Sequence, residues 1–432
     1  MRFTPGVFQR CLAGALLLGF FGPLPHARAE WSAEARRMEK EYPALFADPS
    51  TVTVWSGIQW GVKWNGKTEV IEQTIPVPGY AKSVRYLLAL QTDTVKESDP
   101  QTGKSIEKKV VRRAPVVIFL PGMFTDVESS RARRFLEVFG ERGFHVILVP
   151  NPWSEHALES LPAVLPGHIA EEGAAAWELS SRALAILKAA YPGKIGKVNL
   201  AGESYGTILA ATFLAHDHAQ PVSLIDGETT LFSPILKMVD TLEGLDAMMD
   251  RTENAYAGWS AFSIFRRTWN YVWAKRQDDL DDDQVKDGET MLAYEGFGRN
   301  LVASLYALEK YLPQGKIPEF PSKSERTAWE LRVRFLRTYF DRYTPGLRAQ
   351  YENERGSLAY WLDSAGWLTN GRLRVMMSAD DVVNAGNAKD AAKVFRAPDL
   401  MLFPQGGHSG FLAYPWFDRF ANRVFVPTVT KK

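Results

Sequence analysis

The chain has 432 residues, 46% of them apolar, with 51 Lys and Arg against 50 Asp and Glu. That length holds two or three average domains, or one large α/β domain with an insertion, and the apolar share is ample for a sizeable core, so a disordered chain is excluded. A net charge of +1 asks for no nucleic-acid partner, and one cysteine, Cys11, excludes a disulfide framework, thiol catalysis and a Cys-ligated metal elsewhere in the chain.

Residues 1–29 read as a secretory signal peptide. Arg2 and Arg10 give a positive start, 11–21 is an apolar run too short to span a bilayer comfortably, and Ala27-Arg28-Ala29 is a small-x-small cleavage site before Glu30. Cys11 lies inside this leader, preceded by Phe8-Gln9-Arg10 rather than the small-residue box of a lipoprotein. Cleavage removes three arginines and turns the net charge to about −2. No later segment reaches about 18 uninterrupted apolar residues. The expected product is periplasmic or secreted, with no stable membrane span after cleavage, and its oligomeric state is left open.

Residues 31–50 are charged and helix-like, with Trp31, Met38, Tyr42 and Leu45 spaced for one apolar face. The Trp- and Val-rich run 51–64 alternates, and 83–92 and 106–113 are two more strand-like runs joined by a polar turn at Ser98-Asp99-Pro100, which together predict antiparallel leading strands. From Ala114 the texture changes. The runs 116–120 and 145–149 read as buried strands with a helix at 131–142 between them, 171–191 is a long Ala-rich helix, and 198–201 and 222–225 predict further strands. Buried strands alternating with helices mean a mostly parallel sheet covered on both faces, an α/β fold. The rhythm breaks over 235–371, where helix-like patterns dominate, and strands resume at 372–378 and 400–403 before a closing helix at 411–423. A connection that long is no loop, and it reads as a helical cap above the C-terminal edge of the sheet, where open α/β folds bind ligands. The expected division is therefore a leader at 1–29, the core at 30–234 and 372–432, and the cap at 235–371. The cap's aromatics include Trp259, Phe262, Phe265, Trp269, Tyr271, Trp273, Tyr306, Trp329, Phe335, Tyr339 and Trp361, most of them expected to form its own core. Its acidic run 278–283 lacks the ligand spacing of a calcium loop and reads as a solvated linker.

The chemistry gathers around the stretch KVNLAGESYG, from Lys197 to Gly206. A short buried strand precedes Gly202-Glu203-Ser204-Tyr205-Gly206 and a helix follows, so the chain turns sharply and pushes Ser204 outward; glycines two positions either side suit the crowding. The hydroxyl then sits at a helix N-terminus, beside backbone N–H groups with no intrahelical partner. A serine hydroxyl needs a base, and the base needs an orienting acid. His408 in GGHSG follows the final strand on a glycine-flanked loop; among the other histidines, His156 and His168 are the rivals. For the acid, Asp380 and Asp381 both follow the strand resumed at 372–378. A strand end, two loop residues and then the acid favours Asp381 over Asp380, with Asp226 or Glu228 as a third option.

With GESYG, SADDVVN and GGHSGF in this order, the chain from about Ala114 to Phe425 resembles the α/β-hydrolase-fold serine hydrolases, and more weakly their YheT/ABHD-type esterase branch. The resemblance implies that a backbone N–H from the turn after the first parallel strand helps bind the oxyanion. That turn reads Pro121-Gly122-Met123-Phe124 where the family has His-Gly-x, so the role is carried to Met123, with Phe124 the alternative, and to Tyr205. The expected activity is hydrolysis of carboxylic esters through an acyl-enzyme with catalytic Ser204, Asp381 and His408, a small-molecule ester or acyl substrate, and no cofactor or metal. An exported aminopeptidase or amidase on the same fold, and a non-catalytic binding module, are the alternatives.

Overall fold

The computed structural model describes residues 69–99, 101–102, 104–255, 292–311, 330, 332–379, 381–384, 390–396, 399–403, 407–413 and 415–426. The leader at 1–29, the helix at 31–50 and the strand at 51–64 lie outside the described residues, as do the acidic run 278–283, Asp380, Trp329 and the aromatics from Trp259 to Trp273.

The centre of the molecule is β5 (Ala114–Leu120), seven residues all of them buried. Alternation along a strand sends successive side chains to opposite faces. Val116, Ile118 and Leu120 accordingly enter one apolar cluster, and Val117 and Phe119 the other. Eight strands form the main sheet, in the order β1 (Glu69–Ile75), β2 (Val84–Leu90), β6 (His145–Leu148), β5, β7 (Ile195–Glu203), β8 (Thr229–Phe232), β9 (Leu373–Ser378) and β10 (Leu400–Phe403). From β6 to β10 every neighbouring pair is parallel, and β1 and β2 are antiparallel at one edge. This is the α/β-hydrolase fold that the sequence leads one to expect.

Two expected features differ. The runs 83–92 and 106–113 meet only at Gln91 and Thr92: β3 (Thr92–Ser98) separates from β2 and pairs with β4 (Ser105–Val111) as a hairpin outside the main sheet. Gln91 marks the break, its side-chain amide donating to the carbonyls of Gly140 and Phe144 at 2.8 and 2.9 Å. The strand expected at 222–225 is a capped turn instead. The Asp217 carboxylate accepts from the N–H groups of Leu224 and Ile225 and from the Ser223 hydroxyl, Val222 is 80% exposed, and the sheet resumes only at Thr229.

Helices cover both faces. On one, α1 (Ser130–Gly140) stacks Phe135 on Phe119 of β5 with ring centroids 4.1 Å apart. Between β6 and β7 run the short α2 (Glu155–Glu159) and the 22-residue α3 (Ile169–Ala190), and α4 (Tyr205–His218) leaves β7 directly. Between β8 and β9 the described segments are helical: α5 (Met238–Ala255), a π-helical turn running into α6 (Arg299–Tyr311), a second π-helical turn at Phe335–Phe340, α7 (Leu347–Glu352) and α8 (Leu358–Ser364). No helix among the described residues is long and apolar enough to cross a membrane. α9 (Pro415–Val424) closes the face opposite α4, and its Phe417 and Phe420 join the cluster around Phe119.

Where α3, α4 and the inserted helices meet, a polar group sits in the apolar interior. Glu172 of α3 is 5% exposed and accepts from the Tyr205 hydroxyl and the Gly167 N–H, both at 2.6 Å. Burial pushes its carboxyl up to about 7, further than the two hydrogen bonds pull it down. Between the ordinary carboxylate range and neutrality the folded chain thus holds a proton that the unfolded chain has lost, so stability falls as pH rises through that window. Going from pH 5 to pH 8 should remove about 3 kcal/mol through this group. Glu172→Gln is expected to flatten that part of the slope, measured as the wild-type minus variant difference in urea-unfolding free energy at the two pH values.

Candidate active site

Each side chain singled out in the sequence is carried by the end of a different strand, on the carboxyl edge of the sheet. Ser204 follows β7 and starts α4, Asp381 follows β9, and His408 follows β10. Ser204 has φ 54° and ψ −125°, backbone that a side-chain-bearing residue enters only under strain. The turn is compressed because β5 and β7 run side by side right up to it. A Cβ on Gly206 would lie 1.9 Å from the Leu120 carbonyl oxygen, and one on Gly202 would lie 2.4 Å from the Gly206 carbonyl oxygen. The elbow is held from the other side by β8, whose Phe232 carbonyl accepts from the Ser204 N–H at 3.0 Å.

The Ser204 Oγ lies 2.7 Å from His408 Nε2, and His408 Nδ1 lies 2.9 and 3.0 Å from the two carboxylate oxygens of Asp381. The geometry accommodates the arrangement in which Nδ1–H donates to the acid and Nε2 accepts from the serine hydroxyl. Asp381 is fully buried, and its oxygens also accept from the Val383 N–H at 3.0 Å and the Asn384 side-chain amide at 3.2 Å. Asn384 in turn ties this loop to the segment after β8, donating to the Pro234 carbonyl and accepting from the Leu236 N–H. The serine is 8% exposed and the histidine side chain 11%, so the group is largely shielded from solvent.

The rival assignments do not meet Ser204. His156 pairs with Asp126, and His168 sits at the start of α3. His145 is buried, accepts from the Gln91 N–H at 3.0 Å, and is kept neutral by burial, which lowers its pKa to about 4. Asp226 and Glu228 precede β8 rather than follow a strand, which puts them at the opposite edge of the sheet. There Asp226 accepts from the Val198 N–H and Glu228 pairs with Arg374. Their assignment failed for the reason the strand at 222–225 failed.

Met123 and Tyr205 belong to the two turns that flank Ser204. Within the first of them the Gly122 carbonyl accepts from the Thr125 N–H, and Phe124 has φ 62°. Gly122's own N–H is taken by the Glu203 carboxylate at 3.0 Å, so it is not offered to a ligand. Four of the five non-glycine residues with positive φ among the described residues, Phe124, Ser204, Ser233 and Ser409, lie in the turns around this site, which locates the strain of the fold here. Aromatic rings wall the first turn: Phe124 faces Trp153 and, from the inserted helices, Phe335 at 6.1 Å, with Phe297 a further 6.0 Å on. A separate cavity of about 480 Å³, lined by Tyr80, Pro152, Pro166, Glu172 and His216, lies against α3 and touches none of the three aligned side chains.

The sequence did not single out Glu203, Ser233, Ser409 or Asn384, whose hydrogen bonds link the segments that carry this group. The available signal was a charged residue directly after the apolar stretch Leu200-Ala201-Gly202, in the elbow itself.

No family model matches the chain, and no curated protein matches it. Among solved structures it is similar to one of two fungal esterases from Rhizomucor miehei, at 12% identity over 94% of this chain and 97% of that one, with a TM-score of 0.42. It is similar as well to carboxyl esterase 2 of the mycorrhizal fungus Tuber melanosporum, at 11% identity over 93% and 99% of the two chains with a TM-score of 0.43. A third is brefeldin A esterase, described as a bacterial homologue of human hormone sensitive lipase, at 12% identity over 94% and 89% with a TM-score of 0.42.

The closeness of Gly206 to β5 is directly testable. Gly206→Ala drives a methyl into the Leu120 carbonyl, backbone that cannot swing aside, and is expected to lower stability by about 3 kcal/mol, read as a drop in the urea midpoint.

Proposed function

We propose that this chain is a serine hydrolase of carboxylic esters that works through an acyl-enzyme. The observation that carries the reading is the contact of 2.7 Å between Ser204 Oγ and His408 Nε2, backed by the buried Asp381 carboxylate on Nδ1. Ser204 Oγ attacks the ester carbonyl carbon while its proton passes to His408 Nε2. Asp381 holds the ring and stabilises the imidazolium so formed. The negative charge on the former carbonyl oxygen is received by the N–H groups of Met123 and Tyr205. Collapse expels the alcohol, which takes the proton from Nε2. Water then attacks the acyl-enzyme, giving its proton to His408; Ser204 is released with that proton, and the carboxylic acid leaves.

The aromatic wall of Phe124, Phe335 and Phe297 beside Met123 supports an apolar acyl group or an aromatic ester. The helical insertion acts as the cap over this chamber, and the leader at 1–29 supports export, with a mature N-terminus at Glu30.

Ser204→Ala is expected to lose at least about 10⁴-fold in kcat on p-nitrophenyl esters and to lose labelling by a fluorophosphonate probe, with Asp381→Asn reduced by about 10⁴-fold. Full activity in Ser204→Ala would refute the mechanism. Faster turnover of peptide than of ester substrates would assign the same machinery to amides, and a wild-type chain that the probe does not label would be a binding module.

A further inference from the structure

Glu203 is the last residue of β7 and the immediate neighbour of Ser204, and its side chain is wholly shielded from solvent. A carboxylate in that position is costly unless its lone pairs are all engaged. Here they are engaged by three segments that are remote in sequence. Oε2 accepts from the Gly122 N–H at 3.0 Å, in the turn after β5. Oε1 accepts from the Ser409 hydroxyl at 2.6 Å, in the loop that carries His408, and from the guanidinium of Arg131 on α1.

Two of those bonds bear on reacting geometry. The peptide between Gly122 and Met123 is trans and planar, so its carbonyl and the Met123 N–H point in opposite directions. Its carbonyl is fixed by Thr125, and the preceding peptide is fixed by Glu203 at the Gly122 N–H and by the Asn151 amide at the Pro121 carbonyl; with both planes held, the direction of the Met123 N–H is set. Ser409 is held twice, by Glu203 at its hydroxyl and by the Ser233 hydroxyl, which accepts from its N–H at 2.8 Å. Ser409 has φ 63°, so the backbone just after His408 is kept in a strained turn by these two bonds.

We propose that Glu203 is a positioning residue: its carboxylate fixes the turn carrying Met123 and the loop carrying His408 against Ser204, so that base and oxyanion donors are registered by one side chain. The inference rests on the serine-hydrolase reading above. It requires a carboxylate, because the Gly122 N–H and the Arg131 guanidinium can only donate and they meet different oxygens. The amide of a glutamine would present N–H either to the Gly122 N–H or to Ser409 and Arg131, and one hold would open.

The test compares Glu203→Gln, Ser409→Ala and the double variant with wild type, by steady-state kinetics on a p-nitrophenyl ester and by thermal unfolding. The expected result is a loss of about 10–100-fold in kcat for each single variant, with KM changed less than about threefold, at a temperature where the protein is folded, because a misplacement of about 1 Å costs that order. The double variant should lose no more than the worse single one, since both remove the same contact. Lowered melting temperature with kcat intact would overturn the proposal by reducing Glu203 to a structural role, and so would losses that multiply. Ser409→Ala removes only a hydroxyl and decides the question should Glu203→Gln not fold. A dead Ser204→Ala beside fully active Glu203→Gln and Ser409→Ala would sink this inference alone, whereas an active Ser204→Ala would sink the hydrolase reading beneath it.

Discussion

The close approach of Gly206 to the Leu120 carbonyl is the constraint from which the site follows. Because no side chain stands between them, β5 stays paired with β7 to its last residue, Leu120 opposite Gly202, and the chain must turn sharply within the space of a single residue. That residue is Ser204, and it is forced to a positive φ. Strain of this kind costs on the order of 1–3 kcal/mol and persists only where the surroundings over-determine it. Here the surroundings are β8 through the Phe232 carbonyl on one side and α4, buried along nearly its whole length, on the other. The result is geometric: the hydroxyl is raised above the sheet edge at the N-terminus of a helix.

Three buried carboxylates then fix what surrounds the elbow, each by a different balance of forces. Asp381 meets the imidazole and two hydrogen-bond donors from its own loop. Glu203 meets a guanidinium, a hydroxyl and a backbone N–H from three segments. Glu172 has only the Tyr205 hydroxyl and the Gly167 N–H, no cation among its described hydrogen-bond partners, and its proton is therefore held to about neutral pH. The first two organise the polar face of the elbow and the third anchors the buried ring of the residue after the serine.

Much of this architecture was legible in the sequence because it is local. A seven-residue apolar run, a glycine-framed serine between a strand and a helix, and an acid and a histidine after the late strands each announce themselves within about ten residues. What was illegible depends on side-chain contacts that the pattern of residue types does not announce, whether near or far along the chain. Glu203 reads as the unspecified second residue of a motif, since its partners lie 81 and 206 residues away in the chain. Residues 222–225 look like a strand by composition, yet the Asp217 carboxylate bonds to the backbone there and turns it into a cap; the true strand, TTLF, is only four residues long. One misplaced strand inverted the reading of Asp226 and Glu228, because acids placed after a strand and acids placed before it stand at opposite edges of a parallel sheet.

The inserted helices answer to the same elbow. Asp246 of α5 is buried, which raises its pKa to about 6, and it accepts from the N–H groups of Phe335 and Leu336 at 2.6 and 3.1 Å, so it fixes the start of the π-helical turn. From that turn Phe335 reaches Phe124, while Tyr339 donates to the Pro166 carbonyl and packs on Trp153 at 4.5 Å. Ser304 of α6 donates to the Trp153 carbonyl at 2.9 Å. Trp153 is fully buried and touches Phe124, so it joins the insertion to the turn that follows β5. A movement of the insertion large enough to enlarge the chamber must therefore break the Phe124–Phe335 contact or carry Phe124 with it. Since Phe124 is the neighbour of Met123, the second course would disturb the peptide that Thr125 and Glu203 hold still, and the first leaves it in place. The bonds on Gly122 thus make the turn after β5 the fixed side of the aromatic contact.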